Sequence, residues 1–379
     1  MNASAFALEA DVERVPFSDL SLQWKEIADG ARADIDTLFA TSSFCLGPFV
    51  ERFEAAVADY LGVRHAIGVN SGTSALHLAL IAAGVRTGDK VLVPANTFIA
   101  TVWAVLYLGA VPVLCDVEAA SGNIDVGDAE RRIDRSVKAI IPVHLYGQPA
   151  NMEAVLALAD CYGLSIIEDA AQAIGAHYRG KPVGSLGLLG CFSFYPGKNL
   201  GAAGEAGLVT TNDAALAERV RALRNHSQSE RYTHTELGFN YRMEGFQGLI
   251  LGHKLSLLNT WTEQRRSIAR CYDAGLAGLP LALPQVVNSD HVYHLYVILS
   301  EQREELRVFL REHGIETGLH YPVPIHRQPC LAGLEMNRAS YPVTDSYARD
   351  CLSLPMFSGM TEVRADRVVA TVRSFFGFR

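Results

Sequence analysis

Four polar loops of this 379-residue chain each follow a short apolar run and carry side chains that could do chemistry. If the apolar runs are parallel strands, the loops that follow them meet at one edge of a sheet, where ligands bind in such folds. These loops are therefore the first candidates for a site. They are NSGTS at 70–74, ANTF at 95–98, EDAAQ at 168–172 and SFYPGKN at 193–199.

The first loop has the features of a phosphate site. Gly72, Thr73 and Ser74 stand where an apolar run gives way to a helical pattern. The free N–H groups and the positive end of a helix N-terminus, together with nearby hydroxyls, suit a phosphate. An ordinary helix cap is the alternative interpretation, because Ser and Thr are also preferred there.

The fourth loop leads into a glycine-rich segment that contains Lys198. It is not a nucleotide-binding P-loop, because six residues rather than four separate Gly190 from Gly197, and Asn199 follows the lysine. A lysine held in a packed loop loses hydration, so its pKa falls and its amine becomes nucleophilic towards carbonyls. A solvated surface lysine is the alternative interpretation.

Two further side chains complete the set. Asp169 ends the run LSIIED, where its carboxylate could either cap the next segment or balance a buried cation. Phe98 could belong to the core or stack on a flat ring. A phosphate loop, an aromatic ring, a strand-end aspartate and a later lysine, in this order, meet the needs of pyridoxal 5′-phosphate.

The elements that must position these loops alternate between strand and helix patterns from about residue 60 to 212. Apolar runs without alternation are typical of strands buried on both faces of a parallel sheet. The pattern predicts a doubly wound, mostly parallel α/β sheet. Strands are expected at 65–69, 90–94, 111–115, 138–143 and 164–169, and helices at 74–83, from about 98, and at 152–162.

The pattern changes after about residue 245 and predicts a smaller C-terminal α/β domain. We expect a large domain at 1–255, which includes an N-terminal helical segment at 22–39, and a small domain at 256–379. The elements expected in the C-terminal part are a long helix at 245–274, strands at 291–300 and 315–321, and helices at 301–314, 347–351 and 362–376.

Composition excludes several function classes. A net charge of −8 argues against a nucleic-acid binder, which needs a basic surface. The seven cysteines are never spaced C-x-x-C, so neither a disulfide scaffold nor a zinc site is expected. The uncharged run at 98–115 is interrupted by Gly109 and Pro112, which favours a buried helix and strand over a membrane span. We expect a cytoplasmic protein, because no signal peptide is visible. We expect no metal, because His291 and His294 would point to opposite faces of a strand.

Several longer motifs connect these observations. From about Phe17 to Met356 the chain resembles the DegT-type (DegT/DnrJ/StrS-like) sugar aminotransferases, which are fold-type I, aspartate-aminotransferase-like enzymes that use pyridoxal phosphate. The family commonly reads close to LGAYGDGG where this chain has LGAAGEAG from Leu200, so substrate contacts near that loop are not carried over. The motifs are NSGTSALHLAL, PANTFIAT, IIPVHLYGQP, IEDAAQAIGAHY, CFSFYPGKNLGA, GFNYRM and HYPVPIH.

The resemblance implies a role for each candidate. Lys198 would form the Schiff base with the cofactor and move the proton, Asp169 would pair with the pyridine nitrogen, and Phe98 would lie over the ring. Gln172 would lie near the phenolic oxygen of the cofactor. Because family active sites lie at a subunit interface, a homodimer is implied. The phosphate would be held by Gly72, Thr73, Ser193 and, from the neighbouring subunit, Asn240.

The resemblance also implies a reaction. L-glutamate would leave its amino group on the cofactor as pyridoxamine phosphate and depart as 2-oxoglutarate, and a nucleotide-linked keto sugar would then receive the group. Tyr195, His320 and Tyr321 resemble the branch that acts on dTDP-linked 3-keto-6-deoxy sugars. The alternatives are a 4-keto-sugar or amino-cyclitol aminotransferase, a sugar dehydratase, which Lys198 argues against because known members carry histidine there, and a non-catalytic regulator.

Overall fold

A seven-stranded sheet lies at the centre of this computed structural model, which describes residues 14–287, 290–334 and 340–378. In chain order the described strands are β1 (His65–Val69), β2 (Lys90–Pro94), β3 (Val111–Cys115), β4 (Val137–Ile140), β5 (Ser165–Asp169), β6 (His177–Tyr178), β7 (Lys181–Pro182), β8 (Leu189–Ser193), β9 (Gly207–Thr211), β10 (Gln228–Glu230), β11 (Thr233–His234), β12 (Tyr296–Leu299) and β13 (Cys351–Leu354). The described helices are α1 (Ser21–Thr41), α2 (Pro48–Leu61), α3 (Gly72–Ala82), α4 (Ile99–Leu106), α5 (Val126–Arg131), α6 (Met152–Tyr162), α7 (Ala214–Arg224), α8 (Gly245–Leu255), α9 (Leu258–Leu276), α10 (Arg303–Glu312), α11 (Pro342–Asp350) and α12 (Glu362–Phe375).

The central sheet has the strand order β1-β9-β8-β5-β4-β2-β3. Strand β9 runs antiparallel to both of its neighbours, whereas the other neighbours pair in parallel. The carboxyl ends of β1, β2, β5 and β8 therefore lie at the same edge of the sheet. The strands expected between residues 65 and 169 are confirmed, with β4 ending three residues earlier than expected.

Both faces of the sheet are covered, as the apolar runs predict. Adjacent residues of one strand belong to opposite layers, because side chains alternate along a strand. In β1, Ala66 packs in the layer that contains α2 and α8, and Ile67 packs in the layer that contains α3 and α7. Helices α5 and α6 cover Leu92, Ile140 and Ile166 on β2, β4 and β5. This packing holds the strand ends that carry the candidate loops.

The uncharged run at 98–115 folds as α4 and β3, joined by a tight turn at Gly109. This confirms the expectation of a buried helix followed by a strand. No helix of the described residues is both long and apolar enough to cross a membrane.

The single helix expected at 245–274 is two helices, α8 and α9. Ser256 and Leu257 separate them, and the N–H of Leu257 donates to the carbonyl of Lys254 at 3.0 Å. This three-residue turn replaces the four-residue helical bond and redirects the chain. Neither Gly nor Pro lies at the break, so the sequence carries no signal for it.

The strand expected at 291–300 is confined to Tyr296–Leu299. Tyr293 has a φ of 45°, a conformation outside the strand region, and the chain becomes extended only after it. The expectation that His291 and His294 lie on opposite faces of one strand is therefore wrong, because both precede it.

The expectation of a strand at 315–321 is also wrong. In the described part of the chain this segment makes isolated bridges, with Ile315 paired to Val15 and Gly318 paired to Ser353. The two partners come from distant parts of the chain, so no continuous ladder forms. A local sequence pattern cannot indicate that neighbouring residues pair with two separate segments of the chain.

The helix expected at 347–351 runs instead over Pro342–Asp350, and Cys351–Leu354 is a strand that pairs with β12. Proline is favoured in the first turn of a helix, where its missing N–H costs nothing, which explains the earlier start. Helices α9, α10 and α12 pack with β12 and β13 around a separate cluster of buried apolar side chains, which also takes in Val15. The expected domain boundary at residues 255 and 256 stays a prediction.

Candidate active site

The loop after β1 becomes the N-terminus of α3. Ser71 caps this helix, since its Oγ accepts the N–H of Ser74 at 3.1 Å, and the two hydroxyls lie 2.9 Å apart. The helix begins at Gly72, two residues earlier than expected. A Cβ added to Gly72 would lie 2.7 Å from Cβ of Ser193, the last residue of β8. The fold thus brings Gly72, Ser74 and Ser193 together, with Thr73 between them half-buried.

Asp169 ends β5 as a buried carboxylate. Its Oδ2 accepts the hydroxyl of Thr101 at 2.8 Å, and its Oδ1 accepts the N–H of Ala171 at 3.2 Å. Burial raises the pKa of Asp169, while these hydrogen bonds and the charge of Lys198 act in the opposite direction. The carboxylate is therefore a strong binding partner for a cation placed beside it.

Lys198 lies in the loop between β8 and β9, where its N–H donates to the carbonyl of Tyr195 at 2.8 Å. Burial lowers the pKa of Lys198 to about 8, and the negative charge of Asp169 acts against this shift. Within the described part of the chain, its amine has no hydrogen-bond or ion-pair partner. A substantial fraction of this amine is therefore neutral and nucleophilic near pH 8.

Phe98 belongs to the site rim rather than to the core. It is 52% exposed at the start of α4, and its ring centroid lies 5.6 Å from that of Tyr321. Gln172 is buried and bonds to Tyr321. Its amide nitrogen donates to the hydroxyl of Tyr321 at 3.0 Å, and its Oε1 accepts the N–H of Tyr146 at 2.6 Å. The protein itself thus fixes the orientation of Gln172.

His320 precedes Tyr321 and lies close enough to Lys198 to sense its charge. Burial, with a contribution from the positive charge of Lys198, lowers the pKa of His320 to about 4. Its Nδ1 forms a hydrogen bond of 2.8 Å with Oγ of Ser353. Tyr195, in the loop before Lys198, is 55% exposed.

Asn240 is exposed and lies beside the first loop of its own chain. Its carbonyl accepts a hydrogen bond of 3.5 Å from Nδ2 of Asn70, which follows β1. Its expected role in the active site of a neighbouring subunit stays a prediction.

The sequence reasoning missed three side chains that lie at this site. Thr101 follows Thr97 by one helical turn in PANTFIAT, and this spacing could have indicated a shared partner. Tyr146 lies in the VHLYG motif, but its contact with Gln172 depends on a φ of 59° that no pattern indicates. Burial, and to a smaller extent the positive charge of Lys198, lowers the pKa of His294 well below its ordinary value. The buried Nδ1 of His294 has no hydrogen-bond partner among the described residues.

A second buried pair lies behind Asp169. His144 Nε2 and Glu168 Oε2 are 3.0 Å apart, and both side chains are fully buried. Glu168 also accepts the N–H groups of Gly184, Leu186 and Gly187. These bonds anchor the end of β5, so Glu168 is structural where its neighbour Asp169 faces the site.

Among the described residues, no group of three or more His, Cys, Asp and Glu side chains could hold a metal ion. His326, the last residue of the HYPVPIH motif, pairs with Asp345 at 3.1 Å. His291 stacks on Tyr293 with ring centroids 4.0 Å apart, and burial lowers its pKa to about 3.

The chain is similar in sequence to several known proteins. The sequence profile of the DegT/DnrJ/EryC1/StrS aminotransferase family matches residues 26–373. The chain is 43% identical over 368 residues to a dTDP-3-amino-3,4,6-trideoxy-alpha-D-glucose transaminase of Streptomyces venezuelae, covering 97% of both chains. It is 42% identical over 366 residues to a "pleiotropic regulatory protein" of Geobacillus stearothermophilus, covering 96% of this chain and 98% of the relative.

The fold of the chain is also similar to that of a solved structure. The S. venezuelae protein DesV, crystallised in complex with a ketimine intermediate, matches with a TM-score of 0.93 and 43% identity, covering 96% of this chain and 98% of DesV. The chain therefore belongs to the DegT/DnrJ/EryC1/StrS family and is a pyridoxal-phosphate-dependent aminotransferase of fold type I.

Proposed function

We propose that this aminotransferase moves an amino group from L-glutamate to the C3 keto group of a dTDP-linked 3-keto-6-deoxyhexose, making a 3-amino sugar. The observation that carries the proposal is the similarity, at 43% identity over 97% of both chains, to a dTDP-3-amino-3,4,6-trideoxy-alpha-D-glucose transaminase. Identity of this level over the whole chain supports a shared reaction and a related substrate.

The side chains of the site fit pyridoxal phosphate. When bound, this cofactor supplies an aldehyde that takes up the amino group and a ring that draws electrons from the reacting carbon. Asp169, buried at the strand end, would bind the protonated ring nitrogen. The N-terminus of α3 at Gly72, with Thr73 and Ser193, would hold the phosphate. Phe98 would cover the ring.

Lys198 is the group that would move the proton. With a pKa of about 8 its amine is present in both protonation states near neutral pH. It would take a proton from the carbon that bears the amino group and deliver it to the carbon on the other side of the transferred nitrogen. A positioned acid–base group of this kind contributes roughly 10²–10⁴-fold in rate.

The sugar would be bound on the side of Tyr195, His320 and Tyr321. The low pKa of His320 keeps its imidazole neutral at working pH, so the ring can offer a hydrogen bond without adding a positive charge. Burial raises the pKa of Tyr321, so its hydroxyl stays protonated and can donate.

We also propose a homodimer in which Asn240 of one chain acts at the site of the other. The segment before Asn240 supports this, because Tyr232 is 79% exposed and Leu237 is 91% exposed in the single chain. Large apolar side chains with this exposure suit burial in an interface. The cytoplasmic location stays a prediction.

The test incubates the purified protein with pyridoxal phosphate, L-glutamate and dTDP-linked 3-keto- and 4-keto-6-deoxyhexoses, and it identifies the amino sugars by mass spectrometry and NMR. We expect a 3-amino sugar and 2-oxoglutarate. An amino sugar formed only from the 4-keto substrates would overturn the assignment to C3. Lys198→Ala should abolish multiple turnover, and Lys138→Ala, at an exposed position on β4, is the matched control.

The similarity to a protein named a pleiotropic regulatory protein favours one second candidate, a non-catalytic regulator that binds the cofactor. The absorbance spectrum of the bound cofactor separates the two. Addition of L-glutamate should shift the spectrum of an aminotransferase within one turnover. A spectrum that L-glutamate leaves unchanged would support the regulator.

A further inference from the structure

We propose that Phe17 and Ser353 are positioning residues, which hold the imidazole of His320 in the one orientation that recognises the keto sugar. The inference rests on the proposed function, in which His320 contacts the sugar. It adds that a segment more than 300 positions away in the sequence determines how well His320 does so.

Phe17 covers one face of the imidazole. The rings of Phe17 and His320 are stacked, with centroids 5.8 Å apart and an angle of 19° between their planes. On its edge, the imidazole meets the ring of Tyr321 at 5.5 Å in a T-shaped contact. Aromatic pairs in these geometries attract each other beyond the contribution of burial, which favours one ring orientation.

The backbone fixes Phe17 over this position. Val15 donates to the carbonyl of Gly314 at 3.0 Å and accepts the N–H of Glu316 at 3.0 Å. Phe17 in turn donates its N–H to the carboxylate of Glu316 at 3.2 Å. The segment that carries Phe17 is therefore tied to the segment that leads into His320, which keeps the two rings near each other.

Gly318 makes the close approach of the two rings feasible. A Cβ at this position would lie 2.7 Å from Cε1 of His320 and 3.0 Å from the ring of Phe17. The backbone of Gly318 pairs with that of Ser353 through two hydrogen bonds, of 3.0 and 2.8 Å. The stacked rings therefore lie directly above a backbone bridge that also holds Ser353.

Ser353 fixes which ring nitrogen is left for the substrate. Its hydroxyl is fully buried and lies 2.8 Å from Nδ1 of His320. With Nδ1 occupied, Nε2 has no hydrogen-bond partner among the described residues. Rotation of the ring by 180° would break the bond to Ser353, so the hydroxyl specifies the orientation that the stack holds in place.

A purely structural role for Phe17 is the alternative, because its ring also packs against buried side chains around Val117 and Val143. The two roles differ in what they affect. Loss of general packing lowers stability and affects both halves of the reaction. Loss of a fixed imidazole affects the sugar and leaves the reaction with L-glutamate unchanged.

The experiment compares Phe17→Ala, Phe17→Leu and Ser353→Ala with wild type in the holoenzyme. We expect Phe17→Ala and Ser353→Ala each to raise KM for the dTDP-linked 3-keto-6-deoxyhexose about tenfold, with kcat and the single-turnover rate with L-glutamate changed less than about twofold. Phe17→Leu, which keeps apolar bulk, should recover most of the loss. The matched control is Phe309→Ala, since Phe309 packs on His313 with centroids 4.1 Å apart on the surface helix α10.

A double-mutant cycle decides whether Phe17 acts through His320. In a His320→Ala background, Phe17→Ala should have no further effect on KM. An undiminished effect in that background, or an equal loss of the L-glutamate half-reaction, would overturn the proposal.

A readout that does not depend on turnover separates this inference from the proposed function. In ¹⁵N NMR spectra of the imidazoles, Nδ1 of His320 should show the single signal of a fixed hydrogen bond in wild type, and Phe17→Ala and Ser353→Ala should shift or broaden this signal through exchange. If wild type is inactive on keto sugars and the two variants still show this change relative to wild type, the proposed substrate is overturned and the positioning role is kept. An unchanged Nδ1 signal in both variants would overturn the positioning role.

Discussion

The hydroxyl of Thr101 donates a hydrogen bond of 2.8 Å to Oδ2 of Asp169, which joins the first turn of α4 to the end of β5. The hydroxyl of Thr97 lies a further 2.8 Å from that of Thr101 and extends the chain of bonds. Burial raises the pKa of Asp169, and the bond from Thr101 is the largest opposing contribution. Thr101 therefore helps to keep Asp169 charged, the carboxylate that we propose to balance the protonated ring nitrogen.

Thr101→Val should weaken this balance. A hydrogen bond to a charged group is worth about 1.5–3 kcal/mol, so the cofactor dissociation constant should rise by about tenfold or more. The pKa of Asp169 should also rise, which moves the acid limb of the kcat/KM profile to higher pH. A fluorescence titration of the cofactor and a pH profile measure these effects. Thr262→Val is the matched control, since it removes a buried hydroxyl bonded to Leu258 in α9. Equal effects of the two variants would contradict the role of Thr101.

The reactivity of Lys198 in the cofactor-free protein should depend on pH around 8. Its pKa of about 8 lies below the ordinary value for lysine, so the protonated, unreactive form dominates below pH 8 and the labelling rate rises as the pH passes through 8. Mass spectrometry after brief treatment with an amine-acylating reagent measures this rate for each lysine.

Lys254 is an internal control for that measurement. Burial also lowers its pKa to about 8, but its amine donates to the carbonyl of Gly201 at 2.7 Å and to Oε1 of Gln23 at 3.2 Å. We expect Lys254 to react more slowly than Lys198 at every pH, because these acceptors must be released first. Equal labelling of the two lysines would contradict the assignment of a free amine to Lys198.

The stability of the large sheet should depend on a buried ion pair at its first strand. Arg224 lies 2.5 Å from Glu54 and donates to the carbonyl of Gly68 at 2.6 Å. Arg224→Met leaves the carboxylate of Glu54 buried without its cation, which should lower the free energy of unfolding by about 3–5 kcal/mol. On the same helix, Arg219 pairs with Glu236 at the surface, so Arg219→Met should cost less than about 1 kcal/mol. Urea unfolding measures both, and equal losses would contradict the prediction.

Two glycines of α8 should respond to alanine in opposite directions. A Cβ on Gly245 would lie 1.9 Å from the carbonyl oxygen of Ser43, so Gly245→Ala should destabilise the protein by about 1–3 kcal/mol or more. Gly252 is exposed, with nothing within 4 Å of the added Cβ, so Gly252→Ala should stabilise the protein by about 0.5–1 kcal/mol through helix propensity. Thermal unfolding of both variants checks the signs, and a loss of stability in Gly252→Ala would contradict the second.

The sequence predicted five of the seven strands of the central sheet, because most residues of these five strands are buried and form short apolar runs. It predicted the C-terminal half less well. Tyr293 has a positive φ that no local pattern indicates. Gly318 pairs with Ser353 and Ile315 pairs with Val15, and each of these pairings depends on a partner distant in the chain. A break between α8 and α9 without Gly or Pro has no local signal at all.

The sequence by itself determined the loops that follow the strands, their order and the residue types that suit pyridoxal phosphate, because these are local properties of strand ends and helix starts. Only the tertiary structure decided which groups surround them. Thr101 reaches Asp169 across 68 positions, Gln172 reaches Tyr321 across 149, and Phe17 reaches His320 from near the other end of the chain. The tertiary structure also sets the pKa of Lys198, because this pKa depends on burial. Burial is a property of the packed chain and not of the residue type.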